Sequence, residues 1–359
     1  MSALDQVNKI SRWDRKWQVL ASNEKMASQF FQAWQEMKLI RLPGVYARIN
    51  NVVMAGMGGS GLTAHVIKSL YFTKLNLPLE IVNGYSLPAY VNKDSLVVVT
   101  SYSGNTEEAL ALFDQVLAKR AKILVITTNG RLAKLAHKAK VPLYHFNDSH
   151  NPSGRPRLGL GYTLAAQLAI LKRLGWIKFG LKELAQIKEA DEKYQERFGL
   201  ANPFKKNPAK YLAKQLSDQA IMVVASEFLV GNAHILANQI NESANNFADY
   251  FALPEMNHHL IDSFAHPRIN RRWLKFLFLE SEFYGPENQV RVDATKEILA
   301  GNRIGFASYQ AKSPSRLSQM FETLLFSAYL SFYLAILNKE NPRSDPWVED
   351  LKKRLAKMR

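Results

Sequence analysis

Val52-Val53-Met54-Ala55-Gly56-Met57-Gly58-Gly59-Ser60-Gly61, followed some forty residues on by Val97-Val98-Val99-Thr100-Ser101-Tyr102-Ser103-Gly104-Asn105-Thr106, presents one device twice. An apolar run leads into a turn of small residues, and a helical pattern follows. Short apolar runs suit parallel strands covered on both faces. The glycines let backbone N–H groups come close to a ligand, and the N-terminus of the next helix adds partial positive charge. In the second turn Ser101, Ser103 and Thr106 supply three hydroxyls within six residues. Such turns predict a site for an anion, best a phosphate ester on a neutral polar body.

Nucleotide-binding readings compete with this one and can be tested on the residues. A P-loop needs a Lys-Ser/Thr pair after its second glycine, whereas Ser60-Gly61-Leu62 offers no lysine. The run Gly56 to Gly61 does satisfy G-x-G-x-x-G, a weak signal by itself. A dinucleotide would also want an acidic residue at the end of the next strand, where Leu79-Glu80-Ile81-Val82-Asn83 ends in asparagine. That scheme leaves the second, hydroxyl-rich turn without a role.

From this pair the alternation extends outward. Strands are predicted at 52–56, 79–83, 96–100, 123–127 and 141–145. Helical patterns lie between them, among them the stripe Leu110, Phe113, Leu117. Residues 1 to about 48 read as helix, with Trp13, Trp17, Phe30 and Trp34 among the aromatic positions. A loop through Asn151-Pro152-Ser153-Gly154-Arg155-Pro156-Arg157 leads to a helix from about Leu160 to Leu174. The charged stretch from about Lys182 to Lys210, with Pro203 and Pro208, reads as the linker. Beyond it strands are expected at Ile221–Ala225, Leu274–Leu279 and Ile304–Ser308. The expectation is an α/β protein of two tandem doubly wound parallel-sheet domains with flanking helices, divided as 1–200 and 201–359, and ligands at the carboxyl ends of the strands.

A chain of 359 residues can bury two cores of ordinary size. It has no cysteine, which excludes disulfides, thiolate chemistry and cysteine-ligated metals. Met1 to Lys9 lack the apolar core of a signal peptide, and Leu324 to Leu337, about 14 residues, falls short of the ~20 that span a bilayer. A buried helix and a cytoplasmic protein that meets no membrane are therefore expected. The formal charge of +16 raises the question of nucleic acid. Its basic residues are scattered, however, clustering only at Lys205-Lys206, Arg271-Arg272 and Lys352-Lys353-Arg354, so it reads as a field for small anions.

Gly56-Met57-Gly58-Gly59-Ser60 and Ser101-Tyr102-Ser103-Gly104-Asn105-Thr106-Glu107-Glu108 resemble the phosphosugar-binding signatures of the SIS (sugar isomerase) domain. Pro156-Arg157-Leu158-Gly159-Leu160-Gly161-Tyr162 and the block from Gln239-Ile240-Asn241-Glu242 to Pro254-Glu255-Met256-Asn257-His258 narrow the resemblance to the bifunctional phosphoglucose/phosphomannose isomerases, over nearly the whole chain. That resemblance implies reversible conversion of glucose 6-phosphate or mannose 6-phosphate to fructose 6-phosphate. It places Gly59, Ser60, Ser101, Ser103 and Thr106 at the phosphate and Arg157 near C1 and C2 of the sugar. It assigns Glu242 to the proton shuttle and His258, contributed by the neighbouring subunit of an obligatory homodimer, to ring opening. Ser331 would occupy the position thought to help admit the mannose epimer. The only partners implied are the sugar phosphate and a second copy of the chain.

The residue types suit that chemistry. A cis-enediol route needs a carboxylate base, a cation to steady the developing oxyanion, and a group titrating near neutrality for ring opening; it needs neither metal nor cofactor. Glu242, Arg157 and His258 match these needs, although each residue type also has ordinary structural uses. Departures from the family pattern are Ser243 and Asn245 after the base, His259 after the histidine, Ala328 in place of an acid, and Asn338 in place of a lysine. The alternative is a non-catalytic SIS protein that senses a sugar phosphate; another SIS isomerase or amino-sugar phosphate enzyme is a further one.

Overall fold

Strand β1 (Asn51–Ala55) lies within a five-stranded parallel sheet in the computed structural model, which describes residues 2–358. Its neighbours are β2 (Leu79–Val82) and β3 (Ser95–Thr100), and β4 (Lys122–Thr127) and β5 (Leu143–His145) complete the order β2-β1-β3-β4-β5. Every residue of β3 is buried, as an apolar run must be when helices cover both faces. All five expected strands are present.

The N-terminal segment is broken into α1 (Val7–Asp14), α2 (Val19–Glu24) and α3 (Met26–Glu36). The break after α1 has a local cause: Gln18 adopts a left-handed φ of 56°, and the Asp14 carboxylate accepts from the backbone N–H groups of Val19 and Leu20. Helices α4 (Gly59–Tyr71), α5 (Glu107–Ala118) and α6 (Gly130–Lys138) link the strands, and α7 (Leu160–Arg173) closes the unit. In α5 the buried face is Ala109, Leu112, Phe113 and Val116, while Leu117 is 41% exposed, so the stripe sits about one position from where the larger apolar residues suggested.

The expected linker is largely a helix, α8 (Leu181–Phe198). Its charges occupy the outer face, whereas Ile187, Ala190, Tyr194 and Phe198 form the buried stripe, a 3.6-residue period hidden within a charged composition. Asn207 caps and Pro208 begins α9 (Pro208–Leu216), which leads to β6 (Ala220–Ser226), α10 (Val230–Ala244) and β7 (Ala248–Leu253). Then come α11 (Asn270–Trp273), β8 (Leu274–Glu280), α12 (Pro286–Gly301), β9 (Gly305–Gln310), α13 (Arg316–Asn338) and α14 (Pro346–Lys357). The second sheet, β7-β6-β8-β9, is parallel and repeats the order of the first four strands of the first sheet. Strand β7 was not foreseen, because it is an edge strand with half-exposed residues and carries Asp249.

One apolar cluster runs from Leu4 to Ala335 and joins the units through α3, α4 and α7 on one side and α10 and α13 on the other. Helix α13 holds the long apolar stretch, and Leu317 to Ala335 are all buried within it. Polar side chains pin the join: Asn23 Nδ2 donates to Ala328 O at 3.1 Å, and Ser69 Oγ to Phe228 O at 3.1 Å. Met1 and Arg359, the outer limits of the two expected units, lie outside the described residues.

Candidate active site

At the carboxyl ends of β1 and β3 the two small-residue turns stand side by side and are bonded to each other. Ser60 Oγ accepts from Tyr102 N at 2.9 Å, and Asn83, at the end of β2, donates from Nδ2 to Gly56 O at 2.5 Å. Ser101 Oγ accepts from Gly104 N at 3.1 Å and donates to Thr106 Oγ1 at 2.9 Å. Ser60 and Ser101 are buried, so their hydroxyls shape the cup, whereas Ser103 is exposed and Thr106 half-buried at its mouth. Thr106 is also the N-cap of α5, which places the cup at the positive end of that helix. Gly104 has φ +67°, where a side chain would be strained, and a Cβ there would stand 1.7 Å from Asn129 O.

A chain of bonds then leads away from the cup. Tyr102 Oη donates to Asp148 Oδ2 at 2.8 Å and accepts from Asn151 Nδ2 at 2.7 Å, which fixes the loop ahead of α7. Asn151 Nδ2 also donates to Arg155 O at 2.9 Å. The turn Pro156–Leu158 lies directly on the first signature, since a Cβ on Gly59 would stand 2.7 Å from both Arg157 N and Pro156 C. From the second unit Gln239 Nε2, on α10, donates to Arg157 O at 2.9 Å. Arg157 is thereby clamped between the phosphate-type turn and α10.

Its guanidinium, 0% exposed, points along α10 toward the C-terminal end. Nη1 donates to Glu242 Oε2 at 3.1 Å and to Asp345 Oδ1 at 2.5 Å. Nε donates to Ser243 Oγ at 3.0 Å, and Nη2 to Pro342 O at 2.9 Å. The Glu242 side chain keeps 29% of its surface exposed. Burial pushes its carboxyl above the ordinary glutamate range, with Arg157 opposing and Asp345 adding to the shift. A carboxylate held by one oxygen and partly exposed is equipped to exchange protons with a bound molecule.

Ser60, Ser101, Ser103, Thr106, Arg157 and Glu242 are therefore linked along one path, and Gly59 is the contact that makes it possible. His258 is not on that path. Helix α10 returns from the carboxyl end of β6, so Glu242 lies at the amino-terminal edge of the second sheet, where Asn241 Nδ2 bonds Ala248 O at 2.7 Å. His258 follows β7 and lies at the opposite edge, exposed like His259. The six residues of β7 put roughly 17–20 Å between those edges. Ser331 is 1% exposed and donates to Ala328 O within α13.

The departures from the family pattern have local roles. Ser243 accepts from Arg157. Asn245 ends α10 in a left-handed conformation and donates to Glu340 Oε2 at 3.0 Å, while Asn338 donates to Ala244 O at 2.9 Å. The asparagines thus cap the helix that carries Glu242. Tyr102, Asn151, Gln239 and Asp345 are given no role by the sequence, although Tyr102 and Gln239 lie inside stretches that carry the resemblance. Among the described residues no group of three or more His, Asp or Glu side chains is arranged to hold a metal ion.

Comparison with known proteins agrees with this architecture. Residues 46–173 match the SIS domain, and residues 205–355 the bacterial phospho-glucose isomerase C-terminal SIS domain. The bifunctional phosphoglucose/phosphomannose isomerase of Caldicellulosiruptor bescii is 30% identical over 316 residues, 87% of this chain and 91% of that protein. Its namesake from Aquifex aeolicus is 28% identical over 85% of this chain and 90% of that one. A D-glucosamine-6-phosphate 4-epimerase of Sulfolobus acidocaldarius is 26% identical over 68% and 74% of the two chains. Among solved structures a hypothetical protein of Thermus thermophilus shares the fold with a TM-score of 0.74 at 15% identity, covering 99% of this chain and 94% of that one. On these grounds the chain belongs to the bifunctional phosphoglucose/phosphomannose isomerase family.

Proposed function

We propose that the protein interconverts glucose 6-phosphate, mannose 6-phosphate and fructose 6-phosphate, with Glu242 carrying a proton between C1 and C2 through a cis-enediol. The observation that supports this most is the joining of a phosphate-type cup to a partly exposed glutamate of raised proton affinity. The cup holds the phosphate through Ser103, Thr106 and the backbone of the two turns. Glu242, in its charged form, takes the proton from one carbon and returns it to the other. Arg157 has no free surface, so it acts by orienting Glu242 and by placing positive charge beneath the region where the enediolate charge grows.

Ring opening falls to His258 of a neighbouring subunit in a homodimer. Its position at the far edge of the second sheet supports this, because within one chain it stands too far from Glu242 to serve the same sugar. Selection between epimers at Ser331 is the part of the proposal with least support: its hydroxyl is bonded within its own helix, and access to a sugar would need a change in that bond. A coupled assay with each aldose phosphate, run with and without EDTA, tests the proposal. Turnover of both substrates at a rate indifferent to chelation is expected. No turnover, or activity lost to EDTA and restored by zinc, would refute it.

A further inference from the structure

We infer that Asp345 is a positioning residue for the isomerisation: by sharing Arg157 Nη1 with Glu242, it sets where the Glu242 carboxylate stands and the charge it experiences. The inference rests on the reading of Glu242 as the base.

The two carboxylates meet on one nitrogen, and the shorter contact, 2.5 Å against 3.1 Å, belongs to Asp345. The guanidinium is therefore held first by the segment between α13 and α14, and Glu242 takes the remaining direction. That segment is firmly fastened. Asp345 Oδ2 lies 3.3 Å from Arg155 Nη1, whose Nη2 lies 3.2 Å from Glu349 Oε1 on α14. Pro342 O accepts from Arg157 Nη2 at 2.9 Å, and Arg343 Nε donates to Ser153 O at 2.8 Å. Asp345 is 13% exposed, so little water competes for Arg157.

Charge explains why a second acid is useful there. An arginine bonded to a single carboxylate holds that carboxylate's proton affinity low, by about 1 to 3 pH units, which would weaken it as a base. Asp345 takes up part of that charge. The charged groups facing Glu242 are Arg157 and Arg155 from the loop before α7 and Asp345 from the C-terminal segment; on its own helix the neighbour is the neutral Ser243. Of these Asp345 is the one acid, and it sits less than about 6 Å from Glu242, within the range where like charges raise each other's proton affinity.

The test compares wild type with Asp345→Asn, Asp345→Ser and Asp345→Glu; Asn and Ser are both good caps for α14, which Asp345 precedes. For Asn and Ser the acid limb of the kcat/KM profile should move down by about one pH unit. At neutral pH kcat should fall about three- to tenfold with KM unchanged, since the phosphate cup is untouched. Asp345→Glu should return the limb toward its original position. A limb that stays put in both uncharged variants overturns the inference, even where kcat or thermal stability falls. The 13C-carboxyl titration of Glu242, assigned by its loss in Glu242→Gln, separates this from failure of the isomerase reading. Should wild type not turn over, that reading fails. The role of Asp345 in the isomerisation then falls with it; its electrostatic hold on Glu242 is upheld on its own if the Glu242 midpoint drops in Asp345→Asn, and overturned if it does not.

Discussion

Arg157 Nη1 and Glu242 Oε2 meet at 3.1 Å across the join of the two SIS units, one residue from the loop before α7 and the other from the last turn of α10. Neither unit alone could assemble this pair. The first supplies the phosphate cup and a buried cation, and the second supplies a carboxylate that returns to the amino-terminal edge of its own sheet. On the proposed function, duplication of the fold gives the two units different duties: the carboxyl edge of the first sheet would bind, and the helix end at the opposite edge of the second would react.

Gly59 packs directly on the backbone of the turn that carries Arg157. With Arg157 N and Pro156 C each 2.7 Å from a built Cβ, Gly59→Ala must move backbone rather than a flexible side chain. We expect a stability loss of about 1–3 kcal/mol and, because Arg157 carries Glu242 with it, a fall in kcat on the order of a hundredfold. Gly84→Ala, with no atom within 4 Å of the built Cβ, should be near neutral in both melting temperature and kcat. Equal effects from the two changes would contradict the clamp.

The hydroxyls of the cup divide by burial. Removing the exposed Ser103 or the half-buried Thr106 hydroxyl should chiefly raise KM, several-fold to about a hundredfold, as expected for a hydrogen bond to a charged group worth about 1.5–3 kcal/mol. Ser60→Ala strands the Tyr102 N–H in a buried setting and should appear first as about 1–3 kcal/mol lost in thermal unfolding. Melting curves beside Michaelis plots for the three variants would show the split. A Ser60→Ala protein of unchanged stability would remove the structural role given to that hydroxyl.

Where α4 crosses α10, the His65 and His234 rings meet edge to face with centroids 4.4 Å apart, and His234 stacks on Tyr250 at 4.3 Å. Burial, with His65 adding to it, holds His234 down to about 4; burial also lowers His65, with Asn83 opposing and Lys68 adding. Both rings are neutral in the fold, so the unfolded chain binds protons that the native one refuses. Their contribution is fully present above about pH 6.5 and is lost as pH falls toward 4. Melting temperature from pH 7 to 4 should fall more steeply for wild type than for His234→Phe, which keeps the stacking; parallel curves would refute this.

Much of this was legible beforehand, for identifiable reasons. The inner strands of the first sheet, β1, β3 and β4, carry uninterrupted apolar runs, and the turns after β1 and β3 are spelled in glycine and serine, so both fold and cup could be read locally. Strand β7 and helix α8 could not, because Asp249 on one and the outward charges of the other masked their periods. Partners distant in sequence were beyond reach: nothing around Asp345 signals that it would close on Arg157. The reading of Arg157 as a group touching the sugar depended on likeness alone, and its complete burial became visible only once the C-terminal segment was in place.

On the proposed function, Glu242 and His258, at opposite edges of one sheet, would serve one sugar only from two subunits. Glu242→Gln and His258→Ala homodimers should each be nearly inactive. Unfolded together and refolded, they should regain activity in mixed dimers, where one site receives both native residues. Recovery of about a quarter of the wild-type rate is the statistical expectation for random pairing. No recovery despite proven subunit exchange would place His258 outside the shared site.

Solvent-deuterium exchange at C2 of glucose 6-phosphate tests the central claim most directly, because it reports proton transfer whatever limits turnover. Wild type should wash the C2 hydrogen out into solvent as it isomerises. Glu242→Gln keeps the shape and the Arg157 contact but removes the base, so exchange should vanish, with kcat down by about 10²–10⁴ and KM little changed. Exchange and turnover persisting near wild-type levels in Glu242→Gln would show that another group moves the proton, and would contradict the account.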